Sequence, residues 1–416
     1  MRIAIATAVY YPMINGVAVF SHNLAMGLAR RGHEVVVLCP SQTGKSYSEV
    51  QDGVTVHYLR SVEAKVYPDQ IHDVPERKKI LGVRLPNILY KHGFRVSVFP
   101  GPEVKRILGE FEPDVVHVQV SDPIGLSVVS YARKRGIPVV TTEHNQPEVI
   151  TEPLWVPKLV KKPVDALLAA YFANRQSKSD FVTMPTKKAI HKLLDDRGID
   201  VPIAAVSNGV DLVEFKPGKA EAKLYQEFGL DSKKLTVLYV GRVDPEKNVG
   251  LVVEAFLQAD VSDAQLVVVG DGVDLARLKQ KYGDISNIHF LGRVVAPKLY
   301  KVYRMGDVFV TASEIETQGI VLIEAAASGL PLIAVDAGAV SEVCLNGENG
   351  VLCQAGEVEE IAEAIRKILT DARLREKYAK RSIEVAAEHD FEKTLDKFEN
   401  IYHKVIEMKS TGNQCR

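Results

Sequence analysis

Cysteine is scarce: four residues, at positions 39, 344, 353 and 415 of 416, and no Cys-x-x-Cys pair among them. That scatter argues against a zinc site or a disulfide framework and suits a reduced, cytoplasmic chain. Long apolar runs are missing too, none approaching the roughly 18 residues that a membrane-spanning helix needs. The opening Met1–Val9 has a short apolar stretch that runs into Tyr10-Tyr11-Pro12, so it reads as a first strand rather than a secretory signal. Net charge is only −1, which gives no global reason to expect nucleic acid. No internal repeat of about 20–50 residues is visible, and solenoids are excluded.

What is present is ordinary globular material, 46% hydrophobic and 25% charged, in a chain longer than one core usually serves. The near-neutral total hides an asymmetry. Residues 1–208 carry 26 Lys and Arg against 20 Asp and Glu, and the remainder 26 against 33. Each half opens with its own strand–helix–strand unit. In the first, Ile3–Val9 is a strand, YYPMING a loop, Val17–Arg31 a helix and EVVVLCP the next strand. Gly16 stands alone at that turn, where a dinucleotide fingerprint would need three spaced glycines. The second half opens with the strand KLTVLYVGRV, the loop DPEKN, a helix over Val249–Ala259 and the strand AQLVVVGDG. SNGVDLVEFKPG, with its Gly, Pro and Asn, suits a hinge between them. Amphipathic helices over Val358–Leu369, Leu374–Glu388 and Phe391–Met408 close the chain, with a frayed polar tail expected from Lys409.

The chemistry concentrates in Thr311–Ala334. A strand (DVFVTAS) meets a polar bend with Glu316, then Gly319 and an apolar helix that Gly329-Leu330-Pro331 stops. Glu324 follows Glu316 by eight residues. A glycine at such a bend lets a ligand approach the backbone, and a helix N-terminus attracts phosphate. Carboxylates suit sugar hydroxyls, which donate to them. The segment therefore fits a site for a phosphate-bearing sugar; equally, the two glutamates suit a helix start and a solvated helix position. Arg242 and Lys247 follow the first strand of the second half, where a guanidinium can grip phosphate and an ammonium can add charge, unless the loop is merely exposed and basic. Gly16 would let a diphosphate or sugar lie on bare backbone. His144 ends the strand PVVTTEH, at another carboxyl edge.

Taken in order, these pieces resemble the family-4 retaining glycosyltransferases. The matching elements are the NGV turn with Gly16, the strand-end His144, SNGVD, GRVDPEKN at Gly241–Asn248, VVGDG, FLGRV and the Glu316/Glu324 pair. The resemblance implies an α/β chain of GT-B architecture: two facing Rossmann-like domains, the donor in the cleft between them, and a C-terminal helix crossing back. Residues 1–208 with 389–416 would form the acceptor domain and 209–388 the donor domain. Arg242 and Lys247 would hold the donor diphosphate, Glu316 the sugar hydroxyls, and the backbone of Gly319, Ile320 and Val321 the phosphates. Glu324 would take the ribose, main chain near Val294 the base, Gly16 the diphosphate and His144 the 6-hydroxyl side of the sugar. Neither metal nor cofactor is implied, and the Asp-x-Asp pair of the other large glycosyltransferase class is missing. Asn15-Gly16 stands where many relatives carry Gly-Gly, and TTEHNQPEVI matches no acceptor class.

The basic first half would then choose the acceptor. Arg77–Arg106 holds eight Lys and Arg against Glu103 alone, interleaved with apolar and aromatic residues, and Leu154–Lys178 repeats the pattern around Trp155. Such stretches suit either an anionic membrane surface or ordinary amphipathic surface helices. The NGVA turn and the sequence around His144 also resemble the lipid-glycosylating branches, the diacylglycerol glucosyltransferases and phosphatidylinositol mannosyltransferases. The expectation is a cytoplasmic, peripheral-membrane transferase moving glucose from UDP-glucose to a lipid such as diacylglycerol. A GDP-mannose enzyme and a soluble transferase acting on a saccharide or small polar acceptor are the alternatives. A UDP-sugar 2-epimerase would need an acid/base set around C2 that nothing marks, and a degenerate scaffold would be expected to lack Arg242, Lys247 or Glu316, all of which are present.

Overall fold

The computed structural model describes residues 1–63 (except 12 and 14), 79–80, 83–84, 95–144 (except 121), 163, 167, 170–194 (except 172) and 200–414 (except 296). The described residues fall into two compact units, one running to Ser207 and resuming at Thr394, the other spanning Asn208–Lys393.

The first unit opens with β1 (Arg2–Ala6), β2 (Glu34–Pro40), β3 (Tyr47–Gln51) and β4 (Val54–Leu59). Four short strands come next, β5 (Ser61–Glu63), β6 (Lys79–Ile80), β7 (Val83–Arg84) and β8 (Arg95–Ser97). Then come β9 (Val115–Val118), β10 (Val139–Thr142), β11 (Phe181–Met184) and β12 (Ile203–Ala205). Eight of these form one sheet in the order β12-β11-β10-β9-β1-β2-β4-β3, with every pairing parallel except β3 on β4. Segments such as EVVVLCP are apolar nearly throughout because a parallel strand is covered on both faces. The strand order reverses between β1 and β9, so the loops after those two strands flank the place where open α/β sheets bind ligands. Helix Gly16–Arg30 follows β1, and helices Gly101–Phe111 and Pro123–Arg135 flank β9 in sequence. A core of Leu38, Val116, Ile124, Val128 and their neighbours fills one face.

The structure describes the basic segment only in part. Within Arg77–Arg106, β6 pairs antiparallel with β7, and β8 pairs antiparallel with β5. Among its described residues it is helical from Gly101, after Pro100 and with Pro102 in the first turn. Residues 85–94 and the Trp155 region lie outside the described residues. Among the described residues, no helix is long and apolar enough to cross a membrane.

The second unit carries six parallel strands: β13 (Leu235–Val240), β14 (Ala264–Val269), β15 (Ile288–Gly292), β16 (Val308–Thr311), β17 (Leu332–Val335) and β18 (Gly350–Cys353). Their order, β15-β14-β13-β16-β17-β18, is that of a dinucleotide-type doubly wound sheet. Apolar cores lie on its two faces. One gathers Val237, Val253, Phe256, Val268 and Ile365; the other Leu238, Val240, Tyr303, Phe309, Leu322 and Ile323. Again the order reverses at the centre, between β13 and β16. Helix Phe391–Gln414 runs past the expected end at Met408, and near its end the Ser410 and Thr411 hydroxyls donate to the Ile406 and Glu407 carbonyls.

Candidate active site

Strands β13 and β16 are neighbours, so the loops that leave their carboxyl ends meet in space. Past β13, Asp244 caps a single 3₁₀ turn, Pro245–Lys247. Past β16 come Ser313, Glu314, Ile315 and Glu316. Lys247 reaches across: its Nζ donates to Glu316 Oε1 at 2.7 Å, to Ser313 Oγ at 3.2 Å and to the Ile315 carbonyl at 3.4 Å. Asn248 adds a second stitch, its amide donating to the Ala312 carbonyl (3.2 Å) and to Glu314 Oε1 (3.0 Å). The Glu316 backbone is pinned as well, its carbonyl accepting the Ala339 N–H at 3.1 Å. An ammonium and a carboxylate are thus held side by side at the carboxyl edge of the sheet, at the reversal point.

Arg242 is placed differently. Its guanidinium grips Asp244 and, at 2.7 Å, Glu246, and the side chain remains 44% exposed. Asp244 is fixed in turn by the Val273 N–H at 3.0 Å. Beneath, the buried Tyr239 donates its hydroxyl to the Arg242 carbonyl at 2.6 Å. Burial drives that phenol far above its ordinary range; the Glu316 field acts in the same direction and Arg242 opposes it. An exposed guanidinium resting on carboxylates can exchange one of them for a phosphate.

Helix Ile320–Ala327 starts from Gly319 in the left-handed region at φ 75°, a conformation that costs glycine little. The first N–H groups of such a helix, those of Ile320 and Val321 included, have no carbonyl partner within it. Gln318, just before, is buried, and its Oε1 accepts the Asn208 N–H at 3.0 Å. One turn into the helix, half-buried Glu324 accepts from the wholly buried Tyr303 hydroxyl, 2.6 Å from Oε2. Burial pushes the Glu324 carboxyl up to about 7, with the Tyr303 hydrogen bond pulling the other way. Val294, Ile320 and Val321 are part-buried against the same core as Tyr303.

In the first unit Gly16 is exposed at the start of its helix, where Asn15 Oδ1 accepts the Ala18 N–H at 2.9 Å. His144 lies two residues past β10 and is buried, its ring edge-on to Phe20 at 5.2 Å. Burial pushes it down to about 4, so it is neutral at ordinary pH. Of the expected residues, the structure brings together Lys247 and Glu316, sets Arg242 on carboxylates of its own loop, and seats Glu324 on a tyrosine. Sequence reasoning missed Asn248, Tyr303, Gln318 and, behind His144, Gln119 and His117. For the last pair a signal existed: two polar residues inside the apolar run VVHVQ. Among the described residues, no group of three or more His, Cys, Asp or Glu is arranged to hold a metal ion.

Comparison with known proteins places the chain in a family. Residues 14–214 match the model of Glycosyltransferase Family 4, and residues 221–385 that of Glycosyl transferases group 1. The chain is 29% identical to a GDP-mannose-dependent alpha-mannosyltransferase of Mycobacterium tuberculosis, covering 91% of this chain and 90% of that protein. It is 28% identical to the alpha-monoglucosyldiacylglycerol synthase of Acholeplasma laidlawii, over 86% of each. In fold it is similar to Anabaena HepE, crystallised with UDP and glucose, at a TM-score of 0.71, 17% identity and coverage of 96% of this chain and 99% of that one. With the two family models taking in nearly all of residues 14–385, the chain belongs to the family-4 glycosyltransferases of GT-B fold and is a nucleotide-sugar-dependent hexosyltransferase.

Proposed function

We propose that this protein moves glucose from UDP-glucose onto a membrane lipid such as diacylglycerol, with retention of anomeric configuration and without a metal. The Lys247–Glu316 pair at the β13/β16 reversal carries the reading, because it sets a cation for phosphate beside an acceptor for sugar hydroxyls. Arg242 and Lys247 bind the donor diphosphate and stabilise its charge as it leaves. Glu316 orients the sugar, the Gly319–Val321 backbone takes phosphate oxygens, and Glu324 accepts from the ribose. Main chain at Val294 meets the base, Gly16 the diphosphate and His144 the 6-hydroxyl side of the sugar. The acceptor oxygen attacks C1 on the face that the diphosphate leaves. The C1–O bond to phosphate breaks as the new C1–O bond forms, and the acceptor proton passes to the departing phosphate oxygen. With two cations on the diphosphate, a divalent ion is dispensable.

Lipid glycosylation is supported by the Acholeplasma laidlawii relative and by the basic, aromatic-interleaved stretches of the first half. On this reading the protein is cytoplasmic and peripheral on the inner face of the membrane, drawn there by about 1 kcal/mol per basic residue near anionic lipid. The mycobacterial relative favours a second reading, transfer of mannose from GDP-mannose, for which the sequence resemblance to phosphatidylinositol mannosyltransferases makes phosphatidylinositol the candidate acceptor. A donor screen with and without diacylglycerol or phosphatidylinositol vesicles decides between them. UDP release that depends on diacylglycerol supports the first reading; release of GDP alone overturns it. Release with soluble saccharides alone, with no flotation on anionic vesicles at low salt, removes the lipid.

A further inference from the structure

Gln119 follows β9 at the point where the strand order of the first unit reverses, and it is wholly buried. Its Oε1 lies 2.8 Å from His144 Nε2. A carbonyl oxygen only accepts, so that contact requires a proton on Nε2. Burial keeps the ring neutral, and a neutral imidazole has one N–H. We propose that Gln119 is a positioning residue: it fixes His144 as the Nε2–H tautomer and makes Nδ1 the ring's acceptor, so that a sugar hydroxyl meeting His144 gives a hydrogen bond rather than receives one. The proposal rests on the assignment of His144 to the donor sugar.

The amide is itself held. Gln119 Nε2 lies 3.2 Å and 3.4 Å from the two ring nitrogens of His117, facing that ring rather than one lone pair. His117 is clamped: Nδ1 contacts the Tyr402 hydroxyl at 2.7 Å and Nε2 contacts Thr142 Oγ1 at 2.7 Å, which in turn meets Thr183 Oγ1 at 2.6 Å. Tyr402 belongs to the last helix, whose Phe398 also packs on His117 at 5.0 Å. Burial pushes His117 down to about 3, with a smaller contribution from His144. Among the described residues, the titratable groups near His144 include neutral His117, Tyr402 behind it, and the preceding Glu143, whose buried carboxylate accepts the Gln176 amide at 3.4 Å. A chain of fixed partners runs from the last helix to the His144 ring.

Gln119→Glu tests this by replacing the acceptor with a charge. The carboxylate favours imidazolium, so the His144 pKa climbs toward neutrality and both ring nitrogens become donors below it. Relative to wild type at the same pH, kcat/KM should fall about tenfold or more near pH 6 and recover on the alkaline side. Gln119→Met removes the acceptor without adding charge, and should lower kcat a few-fold with no new pH dependence. Long-range ¹H–¹⁵N correlation spectra of the intact protein report the His144 tautomer and its pKa independently of turnover. An Nδ1–H tautomer in the wild type, or an unchanged tautomer and pKa in both variants, overturns the proposal. If both move as expected while kcat/KM holds at the wild-type level, Gln119 keeps its role and the assignment of His144 to the donor sugar falls.

Discussion

Lys247 and Glu316 stand 69 residues apart in sequence and 2.7 Å apart in space, their side chains only 16% and 17% exposed. Neither is well solvated, so removing one leaves the other part-buried with no counter-charge. That asymmetry makes the pair costly to break from either side.

Glu316→Ala should lower turnover at least tenfold, about 1.4 kcal/mol of barrier. Lys247→Met should raise the donor KM and lower kcat together, since it removes a phosphate contact and frees the Glu316 carboxylate to repel phosphate. Initial rates over donor concentration check both. Near-normal turnover in Glu316→Ala would remove that residue from the sugar site.

Arg242 separates stability from activity. With 44% of its side chain exposed, its pair with Glu246 contributes at most about 1 kcal/mol to folding, and Asp244, only 7% exposed, keeps the Val273 N–H as a donor when the guanidinium is removed. Arg242→Ala should therefore shift the melting temperature only slightly yet reduce kcat/KM at least tenfold. Arg242→Lys should restore little, because a point charge lacks the planar fork that grips phosphate bidentately. A large loss of stability accompanying the loss of activity would make the residue structural instead.

Legibility from sequence depends on which interactions are local. The strands of the second unit can be read because parallel strands buried on both faces are nearly all apolar, as in AQLVVV. The Gly319 bend is equally readable, since glycine between a strand and an apolar helix marks a special backbone conformation. β3 is not: its residues are almost all exposed, so no alternation announces YSEVQ. β17 is hard to separate from the run after a helix stop, since four residues between Pro331 and a polar loop give too short a pattern. In the site, Arg242 and Lys247 are visible as charges, but their partners are not. Asp244 and Glu246 look like loop acids, and only the sheet order β13-β16 brings Lys247 to Glu316. Tyr303 and Gln119 act through burial and contact across elements, which spacing along the chain does not encode.

The Glu324 carboxyl gives a pH dependence with a definite sign. Its folded-state pKa is raised from 4.5 to about 7, so the fold prefers it protonated. The stabilisation is full below about pH 4.5 and is lost as pH rises through 7. Glu324→Gln should therefore match wild-type stability near pH 4.5 and exceed it by about 1–2 kcal/mol near pH 8, measured by denaturant melts. Donor affinity should run the opposite way, since ribose hydroxyls need the carboxylate as acceptor. The wild-type donor KM should fall as pH rises through 7, and that dependence should vanish in Glu324→Gln.

His117 predicts the acid limb. Its pKa falls from 6.5 to about 3 in the fold, so the unfolded chain binds the proton more tightly. Its contribution is complete above pH 6.5 and is lost progressively as pH drops toward 3. Between pH 7 and pH 5 this one ring should cost about 2 kcal/mol of stability. Denaturant melts at the two pH values should show His117→Asn losing correspondingly less, although it is the weaker protein at pH 7 for want of the Tyr402 and Thr142 contacts. Equal losses in the two proteins would show that folding leaves the His117 pKa unshifted.

Gly338 sets the backbone under Glu316. It has φ 56°, and a Cβ there would lie 2.5 Å from the Glu316 carbonyl oxygen and 3.2 Å from its nitrogen. Backbone atoms cannot rotate away as a side chain would, so Gly338→Ala has to move the loop that carries Glu316. Strain at that φ adds about 1 kcal/mol. The Glu316 carbonyl also accepts the Ala339 N–H, so displacing one side of the contact disturbs the other. Gly338→Ala should thus lower kcat/KM for the donor about tenfold while leaving the protein folded, and adding Glu316→Ala to it should cost little more. Strict additivity of the two substitutions would mean that Gly338 acts on stability alone, and not through the position of Glu316.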